Sequence, residues 1–375
     1  MSIRSTLYGH VAPVLRRHQQ LKKLALATET GIERWRHTMA AHLPQLIQPQ
    51  PRHLTVAVTA YCNLRCLGCR YGRDFMPNQQ LPWPVARDLF DDARAAGFEM
   101  VRLYGGEPLL HPDLPKMIEH SVSLGLRTYV TTNGILLAEK IDELYAAGLR
   151  DLTIGFYGTG EEYDSYVQRE HRFERLAAGI AAVRERYGDR VSLRMNWLLR
   201  RQSCTIEALH QAYEFAVRYA MPIQVDLVHY SLPYFTEGPE RMLQFRPEDR
   251  AQIDAIVAEL LRLKKARPEM FDQSLQGLQS IPDWLLKGPE MRVPCDKYQM
   301  IWVGADGTVQ LCYVTFRFGN LHELRLSEML FTPAHIQAAR DAFALRCPNC
   351  HCGYDSRIRK HEPSFRKYEA QLRRS

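Results

Sequence analysis

The chain has 375 residues, 46% of them hydrophobic and 24% charged, which is typical of a globular protein with one large core or two unequal ones. It has no apolar run of about 18 residues and no secretory-type segment near its N-terminus, so we expect a cytoplasmic protein without a membrane span. The net charge of +7 is concentrated at the two ends of the chain. We interpret these as solvated ends and disfavour a nucleic-acid substrate, because nucleic-acid enzymes carry their basic patch around the working cleft.

Residues 1–53 are predicted to form a helical arm. Hydrophobic spacing over 14–27 predicts an amphipathic helix that packs on the outside of the main domain; a helix on a membrane surface is the alternative. Pro49 and Pro51 mark the end of the arm.

Strands and helices alternate from residue 54 to residue 267. Apolar and β-branched runs predict six strands, over 54–59, 100–104, 127–132, 152–157, 191–199 and 223–228. Helical periodicity predicts six helices, over 85–96, 114–124, 138–147, 173–187, 206–219 and 247–266. This order predicts an α/β fold, a parallel sheet with helices outside. Six units are two short of a closed TIM barrel, so we expect a partial (β/α)6 TIM-like barrel with its chemistry at the carboxyl ends of the strands.

Three further segments complete the predicted domain organisation. Residues 268–294 are rich in proline and glycine and predict a linker. Residues 295–352 predict a small cysteine-rich module of a β-hairpin and helices, with Asp306-Gly307 as the hairpin turn. Residues 353–375 form a basic tail.

Cys62, Cys66 and Cys69 follow the first strand with the spacing C-x3-C-x2-C. Clustered cysteines in an intracellular protein of this size indicate a metal site, since disulfides are typical of small secreted domains. Structural zinc requires four protein ligands, whereas three cysteines leave one iron of a [4Fe–4S] cluster open to an external ligand. The triad therefore favours a cluster over zinc or structural cysteines.

Two further motifs follow the next two strands: Gly105-Gly106-Glu107-Pro108 and Thr131-Thr132-Asn133-Gly134. With the cysteine triad, they resemble the radical S-adenosylmethionine (SAM) superfamily over roughly residues 54–265. The resemblance implies a [4Fe–4S] cluster on the triad with SAM at its open iron. It also implies SAM contacts from Gly105, Gly106, Glu107, Pro108, Thr132 and Asn133.

This sequence departs from the family pattern at two places. The family often has an aromatic residue before the third cysteine, where this chain has Gly68. The ribose-contacting strand often ends in Ser-Leu-Asp-Gly, where this chain has Gly155-Phe156-Tyr157-Gly158. We expect further SAM contacts from Tyr157, Arg194 and Asn196; for Arg194 a salt-bridged surface arginine is the alternative.

The predicted hairpin brings Cys295 and Cys312 together, and Cys347 and Cys350 are spaced to bind one centre. Spacing alone leaves zinc and a [4Fe–4S] cluster open. The order of these cysteines resembles the Twitch module, a shortened SPASM domain, which implies one auxiliary [4Fe–4S] cluster for electron transfer. Cys352 is left unassigned. Cys204 follows the fifth strand, where some radical SAM epimerases use a cysteine as hydrogen-atom donor, but we expect it to be structural.

The resemblance implies reductive cleavage of SAM to a 5′-deoxyadenosyl radical that abstracts a substrate hydrogen atom. It also implies an electron donor such as flavodoxin or ferredoxin. A small polar substrate (a sugar, cyclitol or nucleoside) undergoing net oxidation is our first hypothesis. The alternative is a peptide maturase that forms a cross-link or an epimer in a precursor peptide. Such enzymes commonly carry a leader-binding domain larger than the 53-residue arm. A zinc-stabilised binding protein is the non-enzyme alternative.

Overall fold

The computed structural model describes residues 19–231, 243–313 and 315–374. Helix α1 (Gln19–Ala40) forms the arm, and residues 14–18 of the predicted amphipathic helix lie outside the described residues. The guanidinium of Arg36 donates to the Tyr298 hydroxyl over 3.0 Å, and Lys360 pairs with Glu33 at 3.2 Å. The arm therefore packs on the outside of the C-terminal part of the chain. No helix in the described ranges has the length and apolarity needed to cross a membrane.

The six predicted strands and six predicted helices are all present, with ends within a few residues of those expected. The strands are β1 (His53–Thr59), β2 (Met100–Gly105), β3 (Arg127–Thr132), β4 (Asp151–Phe156), β5 (Ser192–Leu199) and β6 (Ile223–Leu227). The helices are α2 (Trp83–Ala95), α3 (Leu114–Ser123), α4 (Leu137–Ala146), α6 (Arg172–Tyr187), α7 (Ile206–Arg218) and α8 (Arg250–Ala266). Helix α5 (Gly160–Val167), between β4 and α6, was not predicted.

The helices cover the outside of the sheet because each has one apolar face. Helix α2 buries Ala86, Leu89, Phe90 and Ala93, which recur three or four residues apart and so share a side of the helix. Six parallel strands with returning helices confirm the predicted α/β architecture. The sheet is open, since β6 is its last strand on one side.

A predicted hairpin of β7 (Met300–Val303) and β8 (Thr308–Gln310) is confirmed, with Gly307 in its turn at φ +81°. Strand β9 (Arg317–Asn320) pairs with β8. The hairpin does not stand alone: β7 lies parallel to β1 and extends the barrel sheet to nine strands, in the order β6-β5-β4-β3-β2-β1-β7-β8-β9.

The segment 268–294, predicted to be a linker, is folded. It contains helices α9 (Leu275–Gln279) and α10 (Ile281–Lys287), and Trp284 is fully buried. The Gln273 side chain bonds both backbone groups of Val225 in β6, at 3.2 and 3.0 Å. Because an edge strand leaves its backbone groups unpaired, this segment closes the open side of the sheet.

The basic tail is not a solvated end. After α11 (Leu326–Met329) and α12 (Pro333–Phe343), it forms α13 (Tyr354–Lys360) and α14 (Glu362–Leu372). The Arg357 side chain is completely buried beside Trp284, with its cation 4.7 Å from the indole. The guanidinium donates to the backbone carbonyls of Pro294, Cys350 and Val293. One arginine thus joins the chain around Cys295 to the chain around Cys350.

We expect Arg357→Met to lower the free energy of unfolding by at least about 2 kcal/mol, because it leaves buried carbonyls without donors. Iron retention at the C-terminal cysteines should fall with it. Arg359→Met is the matched control: Arg359 is an exposed arginine of the same helix, paired with Asp355 at 3.0 Å. Arg359→Met should lower the free energy of unfolding by about 0.5 kcal/mol or less. Chemical unfolding measures the stability of each variant, and iron analysis measures its cluster content. Equal effects of the two substitutions would contradict the idea that Arg357 holds the chain segments around Cys295 and Cys350 together.

Candidate metal centres and the cavity between them

The cysteine triad lies in the loop that follows β1. The backbone amides of Arg65 and Leu67 donate to the carbonyls of Val167 and Tyr166 at the end of α5, at 3.1 and 2.9 Å, which anchors the loop. Cys62 is exposed, whereas Cys66 and Cys69 are partly buried. Burial raises the pKa of the Cys66 thiol well above its usual value, so a bound cation is needed to hold it as a thiolate. The donor set of three thiolates with one open side fits a cluster that keeps an open iron.

The Gly105-Gly106 pair packs directly against this loop. The Gly106 amide donates to the Thr59 carbonyl and the Glu107 amide to the Tyr61 carbonyl, both at 2.7 Å. A Cβ atom on Gly106 would lie 2.3 Å from the Tyr61 oxygen, and Gly105 has φ +146°. Both positions therefore require glycine, and the motif is locked to the first residues of the cysteine loop.

Glu107 is completely buried and connects two of the predicted cofactor motifs. Its carboxylate accepts from the Thr132 hydroxyl at 2.6 Å and from the amides of Asn133 and Leu109 at 2.8 and 3.0 Å. Burial raises its pKa to about 7. The Asn133 amide group donates to Asn63 Oδ1 at 2.7 Å, inside the cysteine loop. Both carboxylate oxygens bind protein donors, so the Glu107 side chain positions the motifs.

The sequence-predicted residues of the first three strands thus come together around the triad. They are Gly105, Gly106, Glu107, Thr132 and Asn133, and Pro108 follows them, buried, in a short 3-10 turn. Tyr157 lies on the same side: its ring is 4.6 Å from that of Tyr166, whose backbone anchors the loop. Burial, and next the charge of Cys66, raise the pKa of Tyr157.

Arg194 and Asn196 lie on the inner face of β5 and not in this cluster of motifs. Arg194 forms a salt bridge with Asp272, the alternative that the sequence left open. The Asn196 amide donates to Asp226 at 2.9 Å. Their contact with SAM stays a prediction.

Cys204 lies outside both cysteine sets. It is completely buried in the main hydrophobic core, and burial raises its pKa to about 12. Its backbone carbonyl accepts from the Gln252 side chain at 2.6 Å. This environment supports the expectation of a structural cysteine.

The C-terminal cysteines surround one small cavity. Its lining includes the four expected residues and a fifth, Cys352, and the set is Cys295, Cys312, Cys347, Cys350 and Cys352. A hydrogen bond from Cys352 lowers the pKa of Cys350 to about 6, so this pair supplies a thiolate readily. Lys297 and Arg357 also line the cavity and favour thiolate charge there.

Neither cysteine set has the geometry of a single-ion site. Among the described residues, no three His, Cys, Asp or Glu side chains converge closely enough to hold one metal ion. Thiolates bind one zinc ion at about 2.3 Å each and so lie close together, whereas a four-iron cluster spreads its ligands over separate irons.

A second, larger cavity of about 510 Å³ occupies the interior of the barrel. All six parallel strands contribute polar side chains to it: His53, Thr55, Arg102, Tyr104, Tyr129, Thr131, Thr153, Arg194, Asn196, Gln224 and Asp226. Lys297, Tyr313 and Cys352 line both this cavity and the cysteine cavity. The Cys352 sulfur also lies 3.2 Å from His229 Nε2. The two cavities therefore share a wall.

This cavity was not predicted from the sequence, although the alternation of polar and apolar residues along the strands indicates it. Parallel strands covered by helices are usually apolar on both faces, whereas these strands carry a polar residue at every second position. Thr55, Arg102 and Asp226 follow that pattern on β1, β2 and β6. Such alternation in a parallel sheet indicates a polar interior.

Two family models match the chain. The model of the radical SAM superfamily matches residues 56–208, and that of an iron–sulfur cluster-binding domain, SPASM, matches residues 295–352. The chain is a radical SAM enzyme. It therefore uses SAM and a [4Fe–4S] cluster. Its C-terminal domain is of a type that binds auxiliary iron–sulfur clusters. The zinc-stabilised binding protein is ruled out.

Curated relatives match part of the chain. GTP 3′,8-cyclase 1 of Mycobacterium tuberculosis is 32% identical over 168 residues, 38% of this chain and 45% of the relative. The AdoMet-dependent heme synthase of Methanosarcina barkeri is 34% identical over 138 residues, 36% of this chain and 40% of the relative. The chain thus spans less than half of these relatives.

Solved structures resemble most of this chain in fold. Streptococcus suis SuiB bound to precursor peptide SuiA has a TM-score of 0.61 and 15% identity, over 90% of this chain and 80% of SuiB. At that identity the likeness shows the fold alone.

We predict about eight irons and eight sulfides per chain after anaerobic reconstitution, since two cysteine sets each fit a four-iron cluster. Replacing Cys62, Cys66 and Cys69 together by alanine should leave about four irons and abolish 5′-deoxyadenosine formation. Iron analysis and chromatography measure both quantities. Continued SAM cleavage by the triple variant, or zinc in place of half the iron, would overturn the assignment of ligands.

Proposed function

We propose that this radical SAM enzyme oxidises a small polar substrate, such as a sugar, cyclitol or nucleoside, held in the barrel cavity. The observation that carries the proposal is the cavity itself, whose volume of about 510 Å³ falls in the range of small-molecule sites. Its lining is rich in hydroxyl, amide and charged groups, which suit a substrate with many hydrogen-bonding groups.

The C-terminal part of the chain closes the cavity on the side away from the strands. Tyr354 and His351 line it, and the Tyr354 hydroxyl donates to the Val225 carbonyl of β6 at 3.0 Å. A wall held by buried hydrogen bonds limits the space on this side to a compact ligand and shields it there from solvent, which favours radical chemistry.

The cavity lies between the two proposed centres. Tyr104 and Thr131 line it and immediately precede Gly105 and Thr132 of the cofactor motifs. At the other side, Lys297 and Cys352 belong to the wall shared with the auxiliary cysteines. A substrate there is positioned for hydrogen abstraction from one side and electron loss to the other.

The clusters and SAM supply the redox chemistry: when bound, they provide a hydrogen-abstracting radical and an acceptor for one further electron. The chain's own residues hold the substrate and accept the proton that a two-electron oxidation of a carbinol releases. Asp226 is suited to accept it, because burial raises the pKa of its carboxylate and Asn196 fixes its orientation at 2.9 Å.

A peptide substrate is the second candidate. The specific observation in its favour is that the chain shares a fold over 90% of its length with SuiB, which was solved with a precursor peptide. The names of the curated relatives, among them a GTP cyclase, point instead to small molecules, although the cyclase match covers only 38% of this chain.

Fractionated cell extract separates the two candidates. Reconstituted enzyme with SAM and dithionite should produce more 5′-deoxyadenosine when it receives the low-molecular-mass filtrate of an extract from the cells that encode it. Prior protease digestion of the filtrate should leave that stimulation unchanged. Stimulation only by the retained, protease-sensitive fraction would overturn the small-molecule proposal in favour of the peptide.

Removing the auxiliary thiolates should separate SAM cleavage from product formation. In a variant with Cys295, Cys312, Cys347 and Cys350 replaced by serine, we expect substrate-dependent 5′-deoxyadenosine to persist while oxidised product falls at least about tenfold, since one-electron loss lacks its acceptor. Circular dichroism and the remaining iron must first show a folded protein, because metal binding and folding are coupled. Full product yield in a folded variant would indicate a redox-neutral reaction.

A further inference from the structure

The barrel cavity contains two cations that have no carboxylate partner. Arg102 and Lys297 both line it, and within the described ranges no acid lies at salt-bridge distance from either. The acids of the cavity are engaged elsewhere, in three contacts: Asp272 with Arg194, Asp355 with Arg359, and Asp226 with Asn196. Asp226 and Asp296 act electrostatically on Arg102 and Lys297, but neither carboxylate lies close enough to form a salt bridge with them.

Neutral groups hold Arg102 in place. Its Nε donates to the Thr131 hydroxyl at 2.9 Å and its Nη1 to the Tyr313 hydroxyl at 2.8 Å. The guanidinium lies 4.7 Å from the centre of the Tyr104 ring. Hydroxyls and a ring fix its orientation, and Asp226 offsets its charge only from beyond salt-bridge distance. A buried cation without a close anion is costly to a folded protein. A bound anion would remove that cost.

Thr55 provides an independent indication of a ligand. It lies opposite Arg102 in the β1–β2 register and also lines the cavity. The residue is completely buried, and its hydroxyl has no hydrogen-bond partner among the described residues. Buried hydroxyls are normally paired, so the one beside Arg102 points to a group that the substrate would bring.

Both cations act on the same part of the cavity. After burial, the charges of Lys297 and Arg102 are the causes that lower the pKa of His53 to about 3. His53 is therefore neutral, with its Nε2 at 3.1 Å from the Tyr129 hydroxyl. Lys297 also faces the cysteine cavity, so Arg102 is the principal anchor of the pair.

We propose that Arg102 and Thr55, assisted by Lys297, form a subsite for an oxyanion of the substrate, a carboxylate or a phosphate. This inference rests on the proposed function in that the substrate occupies the barrel cavity. It narrows the substrate class from polar metabolites in general to anionic ones, because a guanidinium in fixed orientation binds carboxylate or phosphate oxygens in pairs.

Matched probes test the subsite on the reconstituted holoenzyme with SAM. The probes are inorganic phosphate, glucose 6-phosphate, gluconate and glucose, with binding measured by calorimetry. We expect the three anions to bind and glucose to bind at least about tenfold more weakly, the difference expected for a charge-assisted hydrogen bond. The phosphate and gluconate arms separate the two kinds of oxyanion.

Arg102→Met should weaken binding of the anions at least about tenfold, and Arg102→Lys should restore part of it. The control is Arg127→Met, an exposed arginine at the start of β3 paired with Asp151 at 3.2 Å, which should leave binding unchanged. Circular dichroism and iron content establish that each variant is folded and loaded.

Thr55→Val should raise the stability of the ligand-free protein and reduce the stabilisation that phosphate adds. Without ligand it should raise the melting temperature, since it removes a buried, unpaired hydroxyl while conserving shape. The stabilisation that phosphate adds should become smaller than in the wild type. A purely structural threonine would change the first quantity and leave the second unchanged, which would exclude Thr55 from the subsite.

The two proposals fail in different ways. Undetectable phosphate binding by the wild type, or equal binding of anions by the Arg102→Met variant, overturns the oxyanion subsite. The small-molecule function then still stands, because it is tested by the filtrate of the cell extract. Stimulation confined to a peptide fraction overturns the function whether or not phosphate binds.

Discussion

Strand β1 is hydrogen-bonded on both sides, and the positions of both cysteine sets depend on that. On one side it pairs with β2, whose end carries the Gly-Gly motif; on the other it pairs with β7, the first strand of the C-terminal module. His53 is in register with Met100 and with Met300. Because the ladders fix β1, β2 and β7 relative to one another, the triad loop after β1 and the chain around Cys295 and Cys312 are attached to one sheet. Backbone pairing thereby helps to set the separation between the two cysteine sets.

A polar barrel interior follows from the same arrangement. The C-terminal module extends the open sheet on one side and Gln273 caps its edge strand on the other. Side chains on the inner face, which would ordinarily form an apolar core, line a polar cavity instead. Such a surface carries an energetic cost, visible in the Thr55 hydroxyl, which lacks a partner among the described residues, and in the buried Arg102 cation, which forms no salt bridge there. Functional sites commonly retain costs of this kind, which a ligand offsets.

The strands and helices of the barrel and the first cysteine set could be predicted from the sequence, because short-range patterns of residues determine them. Periodicity located the six strands and helices, and the spacing of Cys62, Cys66 and Cys69 indicated the cluster chemistry. Pairing of β7 with β1 could not be predicted, since no local signal specifies which edge a distant hairpin joins. The role of Arg357 could not be predicted for a related reason. A basic residue in a basic segment is expected to be exposed to solvent, and only the structure shows that Arg357 is buried and donates to backbone carbonyls. The domain boundaries and individual SAM contacts remain predictions.

The pairing of β1 with β7 also constrains how the chain folds. His53 and its partner Met300 are separated by all of the barrel in sequence. During synthesis, the β2 side of β1 can pair early, whereas its other edge stays unpaired until the C-terminal module emerges. An unpaired, mostly buried strand edge can associate with other chains, and contacts so distant in sequence form slowly. The feature that aligns the two cysteine sets therefore leaves a strand edge open to aggregation in any chain cut before the C-terminal module.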